Sequence, residues 1–260
     1  MNSFPSVFIS HGAPDLLLHP SRATDFFKQF ESKFGRPEAI LVISAHWLSQ
    51  RPVVSAAVQP RTIHDFGGFP AELYEMQYSA PGAPALAAQV KQQLEKAGFP
   101  VEVNPDRGLD HGAWSPLLLM YPEANIPVTQ LSIQPYSDPE HHLKLGRALA
   151  PLREAGVLIL ASGSITHNLQ SFGGSKFDAE SLEWAVQFDQ WLAETIAQPN
   201  IEALLNYRQQ APYAVQNHPT DEHFLPLFVA LGAGGTTPQV TQLHSSFTYG
   251  AISMAAYAFA

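Results

Sequence analysis

Short, nearly unbroken apolar runs alternate along the chain with longer stretches in which apolar residues recur at helical spacing. The runs SVFIS (6–10), AILVISAHW (39–47), IPVTQLSIQ (126–134) and VLILASGS (157–164) predict strands, with a shorter alternating one at VEVNP (101–105). A strand covered on both faces needs apolar side chains at every position, so it reads as a continuous run. PVVSAAV (52–58) is expected to pair with the 39–47 strand, and AISMAAYAFA (251–260) to form a last core strand. Helices are predicted over 84–98, closed by Gly98, and over 181–198. A third, over 138–156, has Asp138 as N-cap, Pro139 as its first helical residue and Gly156 after its end. A fourth, over 220–235, opens on Thr220 with acids in its first turn. Strands alternating with helices of this length predict an α/β fold. The expectation is a single domain over 1–260, with a central mostly parallel or mixed sheet flanked by helices. No internal repeat or low-complexity linker interrupts it.

Composition narrows the function classes. Hydrophobic residues make up 45% of the 260 residues and charged residues only 14%, the balance of a packed globular chain. A formal net charge of −9, with no lysine or arginine cluster, argues against nucleic acid as a partner. The chain has no cysteine, which removes disulfides, thiolate metal sites and a cysteine nucleophile together. That usage fits a reducing compartment, and the expected location is the cytoplasm. MNSFPSVFIS lacks the basic and long apolar regions of a signal peptide, and no run approaches the roughly 20 residues of a membrane span. The sequence is silent on oligomeric state.

The chain also carries 11 histidines, and their positions matter more than their number. Three apolar strands each deliver one at or just past the C-terminal end: His11 after SVFIS, His46 after LVISA and His167 after VLILASGSIT. Open α/β sheets bind ligands outside the carboxyl ends of their parallel strands, so these three are expected at one sheet edge. His223, early in the 220–235 segment, can face the same crevice. His64 and His111 lie in glycine-rich turns, TIHDFGGFP and LDHGAWS, where Asp65 and Asp110 can orient an imidazole or simply make a turn. Trp47 and Trp114 can line an aromatic pocket or fill the core. His141 and His142 are expected on a solvated helix face, and His19, His218 and His244 have no supporting setting. Nitrogen ligands without thiolates suit zinc, iron or copper. No HExxH, GxSxG, GxGxxG or GxxxxGK[ST] pattern occurs, so short zinc motifs, a serine elbow and nucleotide loops are all unsupported.

SHGAP (10–14), SAHW (44–47), TIHDFGGFP (62–70), DHGAW (110–114), QLSI (131–134), SGSITHN (162–168) and DEHFLPL (221–227) together resemble the signature blocks of the DODA-type (LigB-like) extradiol aromatic ring-opening dioxygenases. They run in the family's order over most of the chain, and look most like its bacterial 4,5-DOPA extradiol branch. The resemblance implies a divalent metal held by His11, His46 and His223. It leaves His167 as a fourth metal ligand or as a catalytic acid/base. It makes His111 a catalytic group facing substrate or O2, and places His64, Trp47, Trp114 and Phe66 on the substrate pocket. The implied reaction is cleavage of a catechol-type ring with O2. An all-histidine site departs from the two-histidine, one-carboxylate triad of many Fe(II) oxygenases. Zn(II) is therefore expected in the protein as purified and Fe(II) for turnover. The rival reading is a zinc-dependent hydrolase on the same histidines, with His167 or Glu222 as general base.

Overall fold

The computed structural model describes residues 3–171, 174–198 and 200–260. Met1 and Asn2, part of the segment read above for a signal peptide, lie outside the described residues. Its strands are β1 (Ser6–Ser10), β2 (Ala39–Leu48), β3 (Val53–Ser55), β4 (Glu102–Asn104), β5 (Val128–Ile133), β6 (Val157–Gly163), β7 (Val240–His244), β8 (Phe247–Thr248), β9 (Ile252–Ser253) and β10 (Ala256–Phe259). The main sheet has eight strands in the order β4-β3-β5-β2-β6-β1-β10-β7, and β8 pairs with β9. β5, β2, β6 and β1 run parallel at its centre. β10 is antiparallel to β1 and β7, and β3 is antiparallel to β5, so the sheet is mixed.

The central strands are apolar throughout because successive side chains feed opposite layers. Phe8, Leu41, Ile43, Ile159 and Ala161 enter one core cluster. Their neighbours Val7, Ile9, Ile40, Val42, Leu158 and Leu160 enter the other. On the second face lie α1 (Arg22–Lys28) and α3 (His111–Met120). The first face carries α2 (Pro84–Lys96), α4 (Pro139–Leu149), α5 (Glu183–Ala197) and α6 (Leu225–Ala233). α4 and α6 touch backbone to backbone: a Cβ on Gly146 would meet the Val229 carbonyl at 2.2 Å, and one on Gly232 the Leu143 carbonyl at 2.1 Å. That contact fixes α6, and with it the turn that carries His223.

Four local expectations are corrected. Val53–Ser55 pairs with β5 and β4, not with β2, because β5 enters the sheet between them. The 138–156 helix is interrupted after Leu149, where Pro151, with no N–H to donate, opens a separate short turn of helix. Asp138 caps α4 as expected, its side chain accepting from the His141 amide. The 220–235 helix starts only at Leu225, with Pro226 in its first turn. Thr220 donates to Glu222 and is not the N-cap. Residues 221–224 form a preceding turn, closed by the Phe224 and Leu225 amides on the Asp221 carbonyl. The fourth correction concerns His142, which is fully buried and not solvated. Among the described residues no helix is long and apolar enough to cross a membrane.

Candidate metal centre

Three segments bring imidazoles to the carboxyl end of the parallel strands. His11 follows β1 directly; its amide bonds the Gly163 carbonyl at 3.0 Å, and Gly12 then turns the chain at φ +72°. A side chain at Gly12 would also press on Met254, its Cβ 3.0 Å from the thioether. His46 lies in an irregular stretch of β2: the register runs from Ile43 to Leu48 on β2 while β5 advances only from Leu131 to Ile133. The extra residues bulge, and a bulge re-aims the side chains it carries. His223 sits in the turn before α6, its carbonyl accepting from the Ser164 amide at 2.8 Å. Gly163 permits that approach, since a Cβ there would lie 2.2 Å from the same carbonyl.

The Nε2 atoms of these histidines converge. His46 Nε2 lies 3.1 Å from His11 Nε2 and 3.2 Å from His223 Nε2. Their other nitrogens decide the tautomers. Ser162 donates its hydroxyl proton to the Gly112 carbonyl and so accepts from His11 Nδ1–H at 2.9 Å. Glu222 accepts from His223 Nδ1–H at 3.0 Å, and Asp65 faces His46 Nδ1 at 3.6 Å. With the protons on Nδ1, lone pairs on Nε2 point at one another, and two acceptors cannot hydrogen-bond. Burial keeps these rings neutral: His11 and His223, with other imidazoles around them, are held well below the ordinary range, and His46 is lowered to about 3 although Asp65 and Glu222 pull the other way. Neutral imidazoles, two of them hydrogen-bonded outward through Nδ1 and the third facing a carboxylate, are a donor set that suits a divalent metal. Metal–nitrogen bonds of about 2.0–2.1 Å in tetrahedral geometry set ligand nitrogens roughly 3.3–3.4 Å apart, close to the spacing here. The residues therefore fit a metal, and His11, His46 and His223 can hold it.

His167 lies outside that trio but forms with Glu222 and His223 a second group that could hold a metal. Its ring stacks on His223, centroids 3.4 Å apart and planes within 9°. Burial lowers it to about 4. His111 opens α3 on the other side of His46, ring centroids 3.9 Å apart. One oxygen of Asp65 accepts from both its backbone N–H, at 2.9 Å, and its Nδ1–H, at 3.0 Å. Burial pushes the Asp65 carboxyl up, but its bonds to His111 and that ring's charge outweigh the burial and hold it at about 2. Nε2 of His111 is left for the cavity.

That cavity, about 280 Å³, is floored by the histidines and walled by Phe66, Phe69, Leu169 and Ile252. His64, Trp47 and Trp114 do not line it, which corrects their expected place on the pocket surface. His64 bonds the Met76 carbonyl at 3.0 Å and stands behind Phe66. Trp114 is wholly buried, donating Nε1–H to the Ile63 carbonyl, and Trp47 packs under Arg107. Aromatic bulk was filling space in both. The sequence reading missed Phe69, Leu169 and Ile252, which carry no polar signature, and Ser162 as the partner that orients His11. His141 and His142 lie far along the sheet edge: His142 donates Nδ1–H to the Asp138 carbonyl and accepts from the Gln134 amide at 3.2 Å.

A family model described as the catalytic LigB subunit of aromatic ring-opening dioxygenase matches residues 8–260. The chain belongs to the LigB family. It is thus a member of a family of metal-dependent ring-opening dioxygenases, which are oxidoreductases. It is 45% identical over 256 residues to the 4,5-DOPA dioxygenase extradiol of Beta vulgaris, covering 97% of this chain and 95% of that one. It is 38% identical to the Escherichia coli K12 protein of the same name, covering 96% and 92%. The crystal structure of an uncharacterized Escherichia coli K12 protein superposes with a TM-score of 0.82 at 32% identity, over 99% of this chain and all of that one.

Proposed function

We propose that the chain, as a single catalytic domain over 1–260, is a metal-dependent extradiol dioxygenase. It opens a catechol-type ring beside its two hydroxyls with O2, 4,5-cleavage of DOPA being the reference reaction. The observation that carries this is the convergence of three Nε2 lone pairs at the floor of an aromatic-walled cavity. Bound there, Fe(II) supplies redox chemistry toward O2 and a charge that lowers the pKa of a diol. Zinc binds such nitrogen sites more tightly than ferrous iron, so the protein as purified carries Zn(II).

The chain's own residues do the rest. Asp65 holds His111 with Nδ1 protonated, so Nε2 is free to take a proton from a substrate hydroxyl, and the carboxylate stabilises the imidazolium that results. His167, kept neutral by burial, is a second proton acceptor on the opposite side of His223. Phe66, Phe69, Leu169 and Ile252 offer the ring an apolar wall. Among the described residues no lysine or arginine lines the cavity. In the rival hydrolase reading Glu222 is engaged by His223 Nδ1 and Thr220, which leaves His167 as the general base that reading would use.

The test is anaerobic reconstitution of metal-free protein with Fe(II) or Zn(II), followed by air and DOPA or simple catechols, read by absorbance. Ring-opened product is expected with iron and not with zinc. No such product with iron from any catechol sinks the reading.

A further inference from the structure

Beneath the metal centre lies a second buried polar cluster that makes no contact with the cavity. Asp110 is 0% exposed, yet its carboxylate is fully partnered. Ser44 donates to one oxygen at 2.6 Å; Gln130 and Arg107 donate to the other at 2.9 and 3.0 Å. Gln130 also accepts from the Asp110 amide. Arg107 is itself pinned: Asn104 accepts its backbone N–H at 2.9 Å, and Ser55 donates to its carbonyl.

The cluster also holds the bulged end of β2. The Ser44 hydroxyl that bonds Asp110 also accepts from the His46 amide at 3.2 Å. Arg107 reaches the His46 carbonyl at 3.5 Å, and its guanidinium lies over the Trp47 ring, 5.1 Å from the centroid. Gly112 closes the gap from the α3 side: a Cβ there would lie 2.5 Å from Ser44 Oγ and 3.0 Å from the His46 ring. A bulged strand has lost ladder hydrogen bonds, so its backbone needs other partners to hold one shape. Here amide, carbonyl and following side chain of His46 are each held by one buried ion pair and its hydroxyl.

We propose that Arg107 is a positioning residue for the metal centre: through Asp110, Ser44 and the Trp47 ring it holds the β2 bulge so that His46 Nε2 meets those of His11 and His223. One guanidinium nitrogen, Nη2, reaches both the Asp110 carboxylate and the His46 carbonyl while the flat group lies over the indole, a combination a compact ammonium cannot reproduce. Groups that orient a ligand from behind change metal affinity by about 10- to 100-fold.

This rests on His46 being a metal ligand, and the experiment separates the two claims. Zn(II) affinity is measured by chelator competition, and the Co(II) absorption spectrum recorded, for wild type, Arg107→Met and Arg107→Lys, with the thermal midpoint of each apo-protein alongside. Arg107→Met is expected to bind Zn(II) about tenfold or more weakly, with a displaced Co(II) spectrum. Arg107→Lys restores the charge beside Asp110 but not the stack, and recovers part of the affinity. Should Arg107→Met fail to fold because Asp110 is left unpaired, Arg107→Met with Asp110→Asn removes both charges and carries the same expectation. Wild-type affinity and spectrum in the folded variant overturn the positioning role. A wild type that binds neither ion overturns the metal reading itself, and this inference with it.

Discussion

Two groups of buried histidines in this molecule, around His142 and at the metal centre, are buried for opposite reasons. At the start of α4, His142 is 0% exposed, and both its ring nitrogens are satisfied: Nδ1–H by the Asp138 carbonyl, Nε2 by the Gln134 amide. Such a ring is a strut between a helix cap and the end of β5. At the carboxyl end of β1, β2 and β6, His11 and His223 are 4% and 5% exposed, and only one nitrogen of each has found a partner outside the cluster. The other faces a second lone pair. Burial alone does not tell a structural histidine from a functional one. Between these two groups the accounting of each ring's second nitrogen does, since a buried acceptor without a donor costs about 1–3 kcal/mol unless something else occupies it.

The largest effect tests the functional set. His46→Ala deletes the central member of the cluster. It should abolish stoichiometric metal binding and lower turnover by roughly 1000-fold or more, given the several kcal/mol a catalytic metal supplies. The apo-protein should lose little or no stability, because a repulsive lone pair goes with the ring. Metal analysis beside apo-protein melting checks both halves; full metal occupancy would remove His46 from the ligand set. Next in size, Asp65→Asn leaves His111 in place but puts an amide where a carboxylate accepted two N–H groups. The expected outcome is a fall in kcat of about 100-fold, measured with metal restored to full occupancy because Asp65 also faces His46 Nδ1, the scale of a general base held wrongly. An unchanged kcat would mean that His111 moves no proton.

His142→Leu tests the other set. It keeps the volume but strands the Gln134 amide and the Asp138 carbonyl, and should cost about 2 kcal/mol of folding stability with metal affinity untouched. Denaturant unfolding of the metal-free protein gives the number. A loss of metal binding instead would erase the distinction between the two regions.

How far the sequence carried each region follows from the same contrast. Strand-end histidines were legible because parallel strands buried on both faces are continuous apolar runs, and His11, His46 and His167 interrupt them. His142 was misread because its partners are backbone atoms, and nothing in EHHLKL announces that the Gln134 amide ends up beside it. Trp47 and Trp114 were placed on the cavity because aromatic bulk looks the same in a wall and in a core. Arg107 left no trace at all: it sits in the polar loop NPDRG, and its partners come from β2, β5 and α3's entry, which only the fold brings together. His223 was found, but on a helix that begins later, since Pro226 and the Asp221 turn set the start.

The smallest effect is a single proton. Burial lowers His142 from 6.5 to about 4, so the unfolded chain binds a proton there at a pH where the folded protein does not. The folded pKa is the depressed one, so stability is fully present above about pH 6.5 and falls as the pH drops toward 4, by at most about 1.4 kcal/mol per pH unit for this group. His218, lowered to about 3, adds a second slope of the same sign. In the metal-free protein the cluster histidines contribute in the same window, so wild type alone cannot apportion the loss. The difference can: between pH 6.5 and 4, His142→Leu should lose stability less steeply than wild type by about one proton's worth. If the two unfold with the same pH slope, His142 is not neutral in the folded state. The two hydrogen bonds that define it as a strut would then need reassigning, because an imidazolium cannot accept from Gln134.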